Sequence, residues 1–373
     1  MKHFRIIEII FLLALILLLF VSCDASIEKN KDIFTVQMGH WLGGATITDT
    51  EGIHKNYTIK PYTHSGEKIT MFDSGACEGN FTGTLTIDGD FLLNNYSFAK
   101  NDITKLVLGK KIDIDSQVFV YNDKLKEIVV DKNNPYLYVK NNCLIEKETD
   151  RLILATNDSV IPDGVKTISA GFYGLTEIKE IIVPDSVTCL SVAFVQDCPN
   201  LERLYIGKNV KEIRENPFAG CPKLTIEIDP ENPYFRVEGN CIIKKDGNVL
   251  WTAFDKSVIP EGVESVRTGA FYYNDDIKEI NFPDSVTIIN AAVSECHGIK
   301  TIFIPKSVEI LNACLISNCI CEEISSEKAM DFTIYCEAEE KPEGWIDEWQ
   351  IGATNVYWGV SREEYESIIS QNS

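Results

Sequence analysis

An internal repeat of 23 residues constrains this chain more than any other feature of its sequence. One complete copy runs from Val187 to Asn209. Its apolar positions are Val187, Leu190, Phe194, Cys198, Leu201, Leu204 and Ile206, which recur as Val286, Ile289, Val293, Cys296, Ile299, Ile302 and Ile304. Because so short a unit cannot bury its own apolar side chains, successive copies must stack and share one core. The repeat therefore predicts a solenoid.

Each copy closes with a segment typical of a half-buried β-strand. Leu204 and Ile206 lie two positions apart, which places both side chains on one face of an extended strand. Proline follows several of these segments, at Pro184, Pro283 and Pro305, and proline ends a strand ladder. We expect a β-rich repeat solenoid in which short helical or irregular turns join the strands.

A longer symmetry is superimposed on the short repeat. Residues 131–165 and 229–263 align without a gap. Both segments contain Asn-Pro-Tyr, beginning at Asn134 or Asn232, and both contain an Asn-Cys pair that ends at Cys143 or Cys241. This match indicates an internal duplication that spans several repeats.

The repeat also resembles a known family. The pattern Val-x-x-Ile-x-x-x-Ala-Phe-x-x-Cys-x-x-Leu-x-x-Ile-x-Ile-Pro-x-Ser is similar to the BspA-type leucine-rich repeats of bacterial surface proteins. The Asn-Pro-Tyr insertion and the closing segment with Trp345, Trp349 and Trp358 are similar to that family as well. Clear similarity covers residues 103–360, and a weaker version begins near Thr84. The resemblance implies adhesion to host proteins, other bacteria or epithelial cells.

These patterns predict four parts of the chain. They are a lipoprotein signal peptide at 1–22, a lipidated Cys23 with a linker and an N-terminal cap or small β module at 23–83, the solenoid at 84–333, and a Trp-rich C-terminal cap and tail at 334–373. Within the second part, the segments Tyr57-Thr-Ile and Lys68-Ile-Thr-Met-Phe have strand character. A solenoid also needs a cover over its first coil.

The first residues are typical of an exported bacterial protein. Lys2 and Arg5 precede an apolar run, Ile9 to Val21, that is too short to cross a hydrocarbon core but suits a secretory signal. The segment from Phe20 to Cys23 resembles a lipobox, with Phe20 where leucine is usual. In lipobox proteins the signal is cut before the cysteine, whose sulfur carries diacylglycerol. A plain secretory signal and an uncleaved anchor are the alternatives to lipidation at Cys23.

Charge and motifs exclude several functional classes. The chain has 35 Lys and Arg against 56 Asp and Glu, a formal charge of −21, whereas binding to phosphate backbones needs clustered cations. The sequence contains no nucleophile-elbow, P-loop, dinucleotide-binding or His-Glu-x-x-His pattern. We therefore expect no nucleic-acid partner, no catalysis, no cofactor and no metal site.

The chain has 12 cysteines, several of which occupy one phase of the repeat. Cys198, Cys221, Cys296 and Cys319 should form a row along the solenoid rather than converge on a point. We favour the interpretation that small buried thiols fill the same core position in each coil. Because neighbouring coils lie about 5 Å apart, disulfides between Cys198 and Cys221 or between Cys296 and Cys319 remain open as well.

One residue in each closing strand lies between the last two core positions and must point away from the core. These residues form a predicted surface column of Val107, Val129, Ile182, Tyr205, Glu227, Asn281 and Phe303. Lys179, Arg203 and Lys278 lie beside it. An apolar column with a charged border is typical of a protein- or glycan-binding sheet, although β-propensity alone would favour the same residues.

The combined prediction is a monomeric, lipid-anchored protein at the outer membrane or cell surface. It would bind an extracellular or host protein, or a glycan, without chemistry. An envelope scaffold, and a surface hydrolase accessory protein with an N-terminal carbohydrate-active module, are the alternatives.

Overall fold

The computed structural model describes most of the chain between Ile27 and Asn372. The described residues are 27–29, 33–38, 45–63, 66–191, 193–214, 218–254, 257–272, 277–294, 296, 298–312, 315–317, 332–350 and 353–372. They belong to two compact units, at 1–138 and 139–373. The predicted signal peptide, Cys23, Cys319 and Cys321 lie outside the described residues.

The first unit is built from β-strands. They are β1 (Ile27–Lys29), β2 (Phe34–Met38), β3 (Ala45–Thr50), β4 (His54–Ile59), β5 (Ile69–Phe72), β6 (Phe81–Ile87), β7 (Leu92–Leu93), β8 (Asp102–Leu108) and β9 (Glu127–Val130). The two predicted strand segments are confirmed as parts of β4 and β5. One sheet has the order β1-β2-β3-β5-β7 and the other the order β4-β6-β8-β9, whose strands all pair in parallel.

The boundary between the units falls within β10 (Leu137–Lys140). The following strands are β11 (Cys143–Glu146), β12 (Arg151–Leu154), β13 (Thr167–Ile168), β14 (Phe172–Tyr173), β15 (Glu180–Val183), β16 (Cys189–Leu190), β17 (Val195–Gln196), β18 (Arg203–Ile206), β19 (Glu212–Ile213), β20 (Thr225–Ile228), β21 (Phe235–Glu238), β22 (Cys241–Lys244) and β23 (Val249–Thr252). Then come β24 (Ser265–Val266), β25 (Phe271–Tyr272), β26 (Glu279–Asn281), β27 (Ile288–Ile289), β28 (Val293–Ser294), β29 (Thr301–Ile304), β30 (Ile310–Leu311), β31 (Ile316–Ser317), β32 (Thr333–Cys336), β33 (Asn355–Trp358) and the helix α1 (Arg362–Asn372).

The predicted solenoid is confirmed by the strand register of the second unit. Leu204 pairs in parallel with Ile181 of the preceding coil and with Ile226 of the next, so each coil hydrogen-bonds to its neighbours one repeat away. Ile280 pairs with Ile302 in the same way. The side chains of Leu204, Ile280 and Ile302 are at most 2% exposed, which places the repeated apolar positions in the core.

The duplication seen in the sequence is repeated in the hydrogen bonds. The Asn134 side chain donates to the carbonyls of Gly109 and Ile112 and accepts from two backbone amides that follow it. Asn232 makes the same four bonds, with the carbonyls of Gly207 and Val210 as its acceptors. Asn134 therefore fixes the turn that leads into the neighbouring strands β10, β11 and β12, and Asn232 fixes the turn that leads into β21, β22 and β23.

The carboxyl-terminal part of the second unit closes on aromatic side chains. Trp345 and Trp349 are buried, with ring centroids 4.7 Å apart, and Trp358 packs against both. The Trp345 indole donates a hydrogen bond of 3.0 Å to the carbonyl of Val308. Helix α1 follows β33 and begins with a capping box, because Ser361 and Glu364 bond reciprocally.

Candidate functional site: the outer strand faces

The outward side chains of β15, β18 and β20 form a continuous surface that we call the central strand face. Ile182, Tyr205 and Glu227 lie side by side in this parallel sheet. Ile182 is 52% exposed, Tyr205 is half-buried and Glu227 is exposed. Because strand side chains alternate, the residues on either side of Tyr205 point inward while its ring faces outward.

Arg203 lies beside Ile182 and Tyr205 and bridges two carboxylates. The guanidinium of Arg203 lies 2.7 Å from a Glu180 carboxylate oxygen and 3.3 Å from one of Glu227. All three side chains are close to half exposed, so these pairs orient Arg203 more than they stabilise the fold. Arg203 is therefore held on the face with part of its guanidinium open to a ligand.

The Tyr205 ring is held in place by its hydroxyl. That hydroxyl donates a hydrogen bond of 2.7 Å to Asp229, which raises the pKa of Tyr205 to about 12 and lowers that of Asp229. The Tyr205 hydroxyl therefore keeps its proton and remains a donor to Asp229. A ring fixed in one orientation loses little entropy when a partner packs against it.

The first unit carries a similar outer face on its parallel sheet. Val107 on β8 pairs with Val129 on β9, and both valines are half-buried. Beside them the Lys105 ammonium lies 2.8 Å from the Glu127 carboxylate. This face also combines an apolar strip with a charged border.

The predicted surface column is divided among three sheets, and its last residue is not at the surface. Phe303 lies beside Asn281 in the sheet β26-β29-β32-β33 as expected, but its side chain is fully buried. Tyr365 of α1 stacks on the Phe303 ring at 4.9 Å, and the Arg362 guanidinium lies 4.7 Å from the same ring. The prediction of an exposed Phe303 is wrong because the helix covers it.

The predicted border lysines are found at the surface. Lys179 and Lys278 are exposed and immediately precede β15 and β26, respectively. Two residues separate Lys179 from Ile182, and two separate Lys278 from Asn281. Their backbone carbonyls accept hydrogen bonds from the next coil, at Glu202 and Arg203 for Lys179 and at Lys300 and Thr301 for Lys278. Both lysines are thus fixed in the backbone ladder.

Two groups of residues at this end of the chain were missed by the sequence analysis. Tyr335 and Tyr357 continue the row that contains Phe303, with their rings stacked at 5.5 Å, and Tyr357 is half exposed. The segments Ile334-Tyr-Cys and Val356-Tyr-Trp repeat the closing-strand pattern, so alignment with Ile302-Phe-Ile could have found them. Arg362 and Tyr365 lie in the non-repetitive tail, where the period gives no signal.

The described cysteines occupy core positions. All eight are buried free thiols, and Cys198 donates to the Phe172 carbonyl at 3.2 Å while Cys296 bonds to that of Phe271. Asn122 fills the same position in the first unit, where its amide donates to three backbone carbonyls. The repeated position therefore selects a small hydrogen-bond donor, a requirement that apolar periodicity does not reveal.

Within the described ranges, no group of three His, Cys, Asp or Glu side chains is placed to hold a metal ion. None of the helices among the described residues has the length and apolar character needed to span a membrane.

Comparison with known proteins identifies the repeats. Residues 153–241 and 251–333 match the model of the BspA-type leucine-rich repeat region, in six copies. Among solved structures, a leucine-rich cell surface protein from Faecalibacterium prausnitzii is similar, with 17% identity over 93% of this chain and 98% of that one and a TM-score of 0.40.

Two further leucine-rich repeat structures are similar at comparable levels. The protein from Eubacterium ventriosum has 13% identity over 88% of this chain and 83% of its own, with a TM-score of 0.37. The protein from Bacteroides ovatus has 14% identity over 89% and 99%, with a TM-score of 0.31. The search of curated proteins gives no match.

Proposed function

Residues 153–241 and 251–333 of this chain belong to the BspA-type leucine-rich repeat family, and from that premise we propose that the protein is a bacterial surface adhesin that binds a protein partner through its central strand face. Proteins with these repeats are typically at the bacterial cell surface, and leucine-rich repeat solenoids are typically non-catalytic binding scaffolds. The observation that carries the proposal is the pair of an exposed Ile182 and a half-buried Tyr205, which lie side by side on the outer face with Arg203 beside them.

The chemistry of the central strand face suits a protein more than a glycan. Tyrosine and arginine are among the residues most enriched in the energetic centres of protein interfaces, and Ile182 adds apolar area beside Tyr205. Arg203 is already oriented by Glu180 and Glu227, so its guanidinium is preorganised to donate a hydrogen bond to a partner. Lys179, which precedes the same sheet, would add electrostatic attraction for acidic groups of the partner at the rim of the interface. We expect the protein to act as a monomer there.

The test replaces the apolar pair and measures binding. The full chain carrying Ile182→Ser and Tyr205→Ser is compared with the unaltered chain on immobilised extracellular-matrix proteins. We expect at least about a tenfold loss of affinity, because two interface anchors of about 1 kcal/mol or more would be removed. Val160→Ser is the matched control, since Val160 is 65% exposed in the same unit but lies outside the strand faces. Equal binding by the double variant would contradict the proposal.

Lipid attachment at Cys23 is the second part of the proposed function, and it rests on the lipobox-like segment that ends there. A diacylglyceryl group on Cys23 would hold the repeats at the outer membrane or cell surface. We expect Cys23→Ala to abolish labelling with a radioactive fatty acid and to release the protein from the membrane fraction, whereas Ser22→Ala should do neither. A labelled, membrane-bound Cys23→Ala protein would contradict this part. Protease shaving of intact cells would separate surface display from an internal envelope scaffold.

A further inference from the structure

A cavity of about 470 Å³ lies beside helix α1 in the second unit. Segment 257–261, strand β26 and α1 surround it. Its floor is formed by the buried side chains of Phe254, Phe271, Ile277 and Ile280, and the 72% exposed Val258 stands at its wall. The cavity thus offers an apolar floor and a volume within the range of small-ligand sites, which leaves room for a single long side chain.

The described charges around this floor are mostly negative. Glu261, Glu279 and Glu366 line the cavity and are all exposed. The cation among the described lining residues, Arg362, is already paired with Asp284 at 2.5 Å and bonded to Asn281 at 2.6 Å. Glu279 accepts a hydrogen bond from the Tyr365 hydroxyl, whereas Glu261 and Glu366 make no ion pair within the described part of the chain. The cavity therefore favours a cation that also has an apolar stem.

We propose that this cavity binds an arginine side chain presented by a protein partner. The three methylene groups would cover the apolar floor, and the guanidinium would lie at the rim between Glu261 and Glu366. A planar guanidinium donates two parallel hydrogen bonds to a carboxylate, which an ammonium group cannot do. The site is separate from the central strand face, so the proposal of arginine binding does not depend on the proposed adhesive function.

The same combination of contacts already exists within the chain. The Arg362 guanidinium lies 4.7 Å from the Phe303 ring centroid while it pairs with Asp284. The Arg267 guanidinium lies 4.2 Å from the ring centroid of Trp251. This fold therefore already holds guanidinium groups against aromatic rings, and the cavity offers a related arrangement of an apolar floor with carboxylates at its rim.

The test titrates the peptide acetyl-Gly-Arg-Gly-amide into the full chain by calorimetry at low salt. We expect a dissociation constant on the order of 1 mM. The citrulline analogue, which keeps the shape of arginine without its charge, should bind at least about fivefold more weakly. The double variant Glu261→Gln with Glu366→Gln should weaken arginine binding by about two- to fivefold per carboxylate removed.

Glu363→Gln is the matched control for this titration. Glu363 is an exposed acid of the same helix that does not line the cavity, so its loss should leave the affinity unchanged. No binding up to about 10 mM, equal affinity for the citrulline peptide, or an equal effect of the Glu363→Gln variant would each overturn the proposal. Loss of matrix binding in the Ile182 and Tyr205 variant has no bearing on this result.

Discussion

A single buried position in each coil shows how residue chemistry and the repeat are connected. Asn122 in the first unit and Cys198 in the second occupy the same phase, and both donate to carbonyls of the turn before them. The sequence pattern predicted that Cys198 is buried, because the spacing of apolar residues in the repeat indicates which positions face the core. It could not predict the donor role, since the orientation of the Phe172 carbonyl depends on the folded turn.

We predict that Asn122→Ala lowers the free energy of unfolding by about 1–2 kcal/mol. The change removes the donor to the buried carbonyl of Phe119, whereas the carbonyls of Phe98 and Val120 keep a second donor, the Asn101 side chain and the Lys100 amide respectively. Burying a carbonyl without a donor is costly. Urea unfolding measures the loss. Asn133→Ala, an exposed substitution in the same unit, should change the value by less than about 0.5 kcal/mol. Equal effects of the two substitutions would show that the amide contributes nothing.

The duplicated thiols Cys143 and Cys241 should make stability depend on alkaline pH. Burial raises the pKa of each thiol from 9.0 to about 12. Because the folded-state pKa is the higher one, the unfolded chain loses these protons first as the pH rises. The stabilisation is therefore complete below about pH 9 and is lost between about pH 9 and 12, by up to about 1.4 kcal/mol per pH unit for each thiol.

Urea unfolding at about pH 8 and about pH 10 tests this dependence. The double variant Cys143→Ala with Cys241→Ala should be less stable at pH 8 but should lose less stability between the two pH values. Lysine titration affects both proteins equally, so the difference between their slopes isolates the thiols. An identical slope in the two proteins would refute the assignment.

Strands and helix contribute differently to what the sequence could predict. Leu190, Ile280 and Ile302 are buried as predicted, because each strand repeats the environment of the preceding one and the period is visible in the sequence. Phe303 obeys the same alternation and faces away from the core, yet α1 covers it. That contact involves Tyr365, a residue of a non-repeated segment, so no periodic pattern could have predicted it. The domain boundaries drawn from the sequence stay predictions.

Helix α1 should depend on Tyr365 for its position. Tyr365→Ala removes a fully buried ring that contacts Phe303 and Tyr335, and large-to-small changes of this kind cost about 3–5 kcal/mol when the neighbours cannot close the space. We expect amides of α1 to lose protection from hydrogen exchange while those of β29 keep theirs. Glu363→Ala, on the exposed side of the helix, is the control. Unchanged protection in α1 would show that Arg362 alone holds the helix.

At the scale of the whole molecule, the net negative charge disfavours anionic partners. The chain carries −21 formal charges, so we expect sulfated glycans and nucleic acids to be repelled over its surface as a whole. This expectation rests on the sequence alone, because net charge does not depend on the fold. In contrast, the exposure of each strand face could not be predicted from the sequence, because it depends on where the non-repeated helix α1 packs.

We predict that the protein passes through immobilised heparin at about 0.15 M salt, because counterion release requires clustered cations that this chain lacks. Retention followed by elution at higher salt would contradict this expectation and would favour a sulfated glycan as the partner. A variant that replaces Lys179 and Lys278 by glutamine should behave identically on the column.

If the protein acts as the adhesin proposed above, its parallel ladder has a mechanical consequence. Each coil is bound to the next by a short row of backbone hydrogen bonds, such as those joining Leu204 to Ile181 and Ile226. Tension applied through a chain end would load the outermost row first, so the array would peel turn by turn instead of rupturing at once. A released turn of about 22 residues lengthens the chain by roughly 75 Å. The distance between the cell and a bound partner could therefore increase over many such steps before the full tension acts on the contact between the protein and its partner.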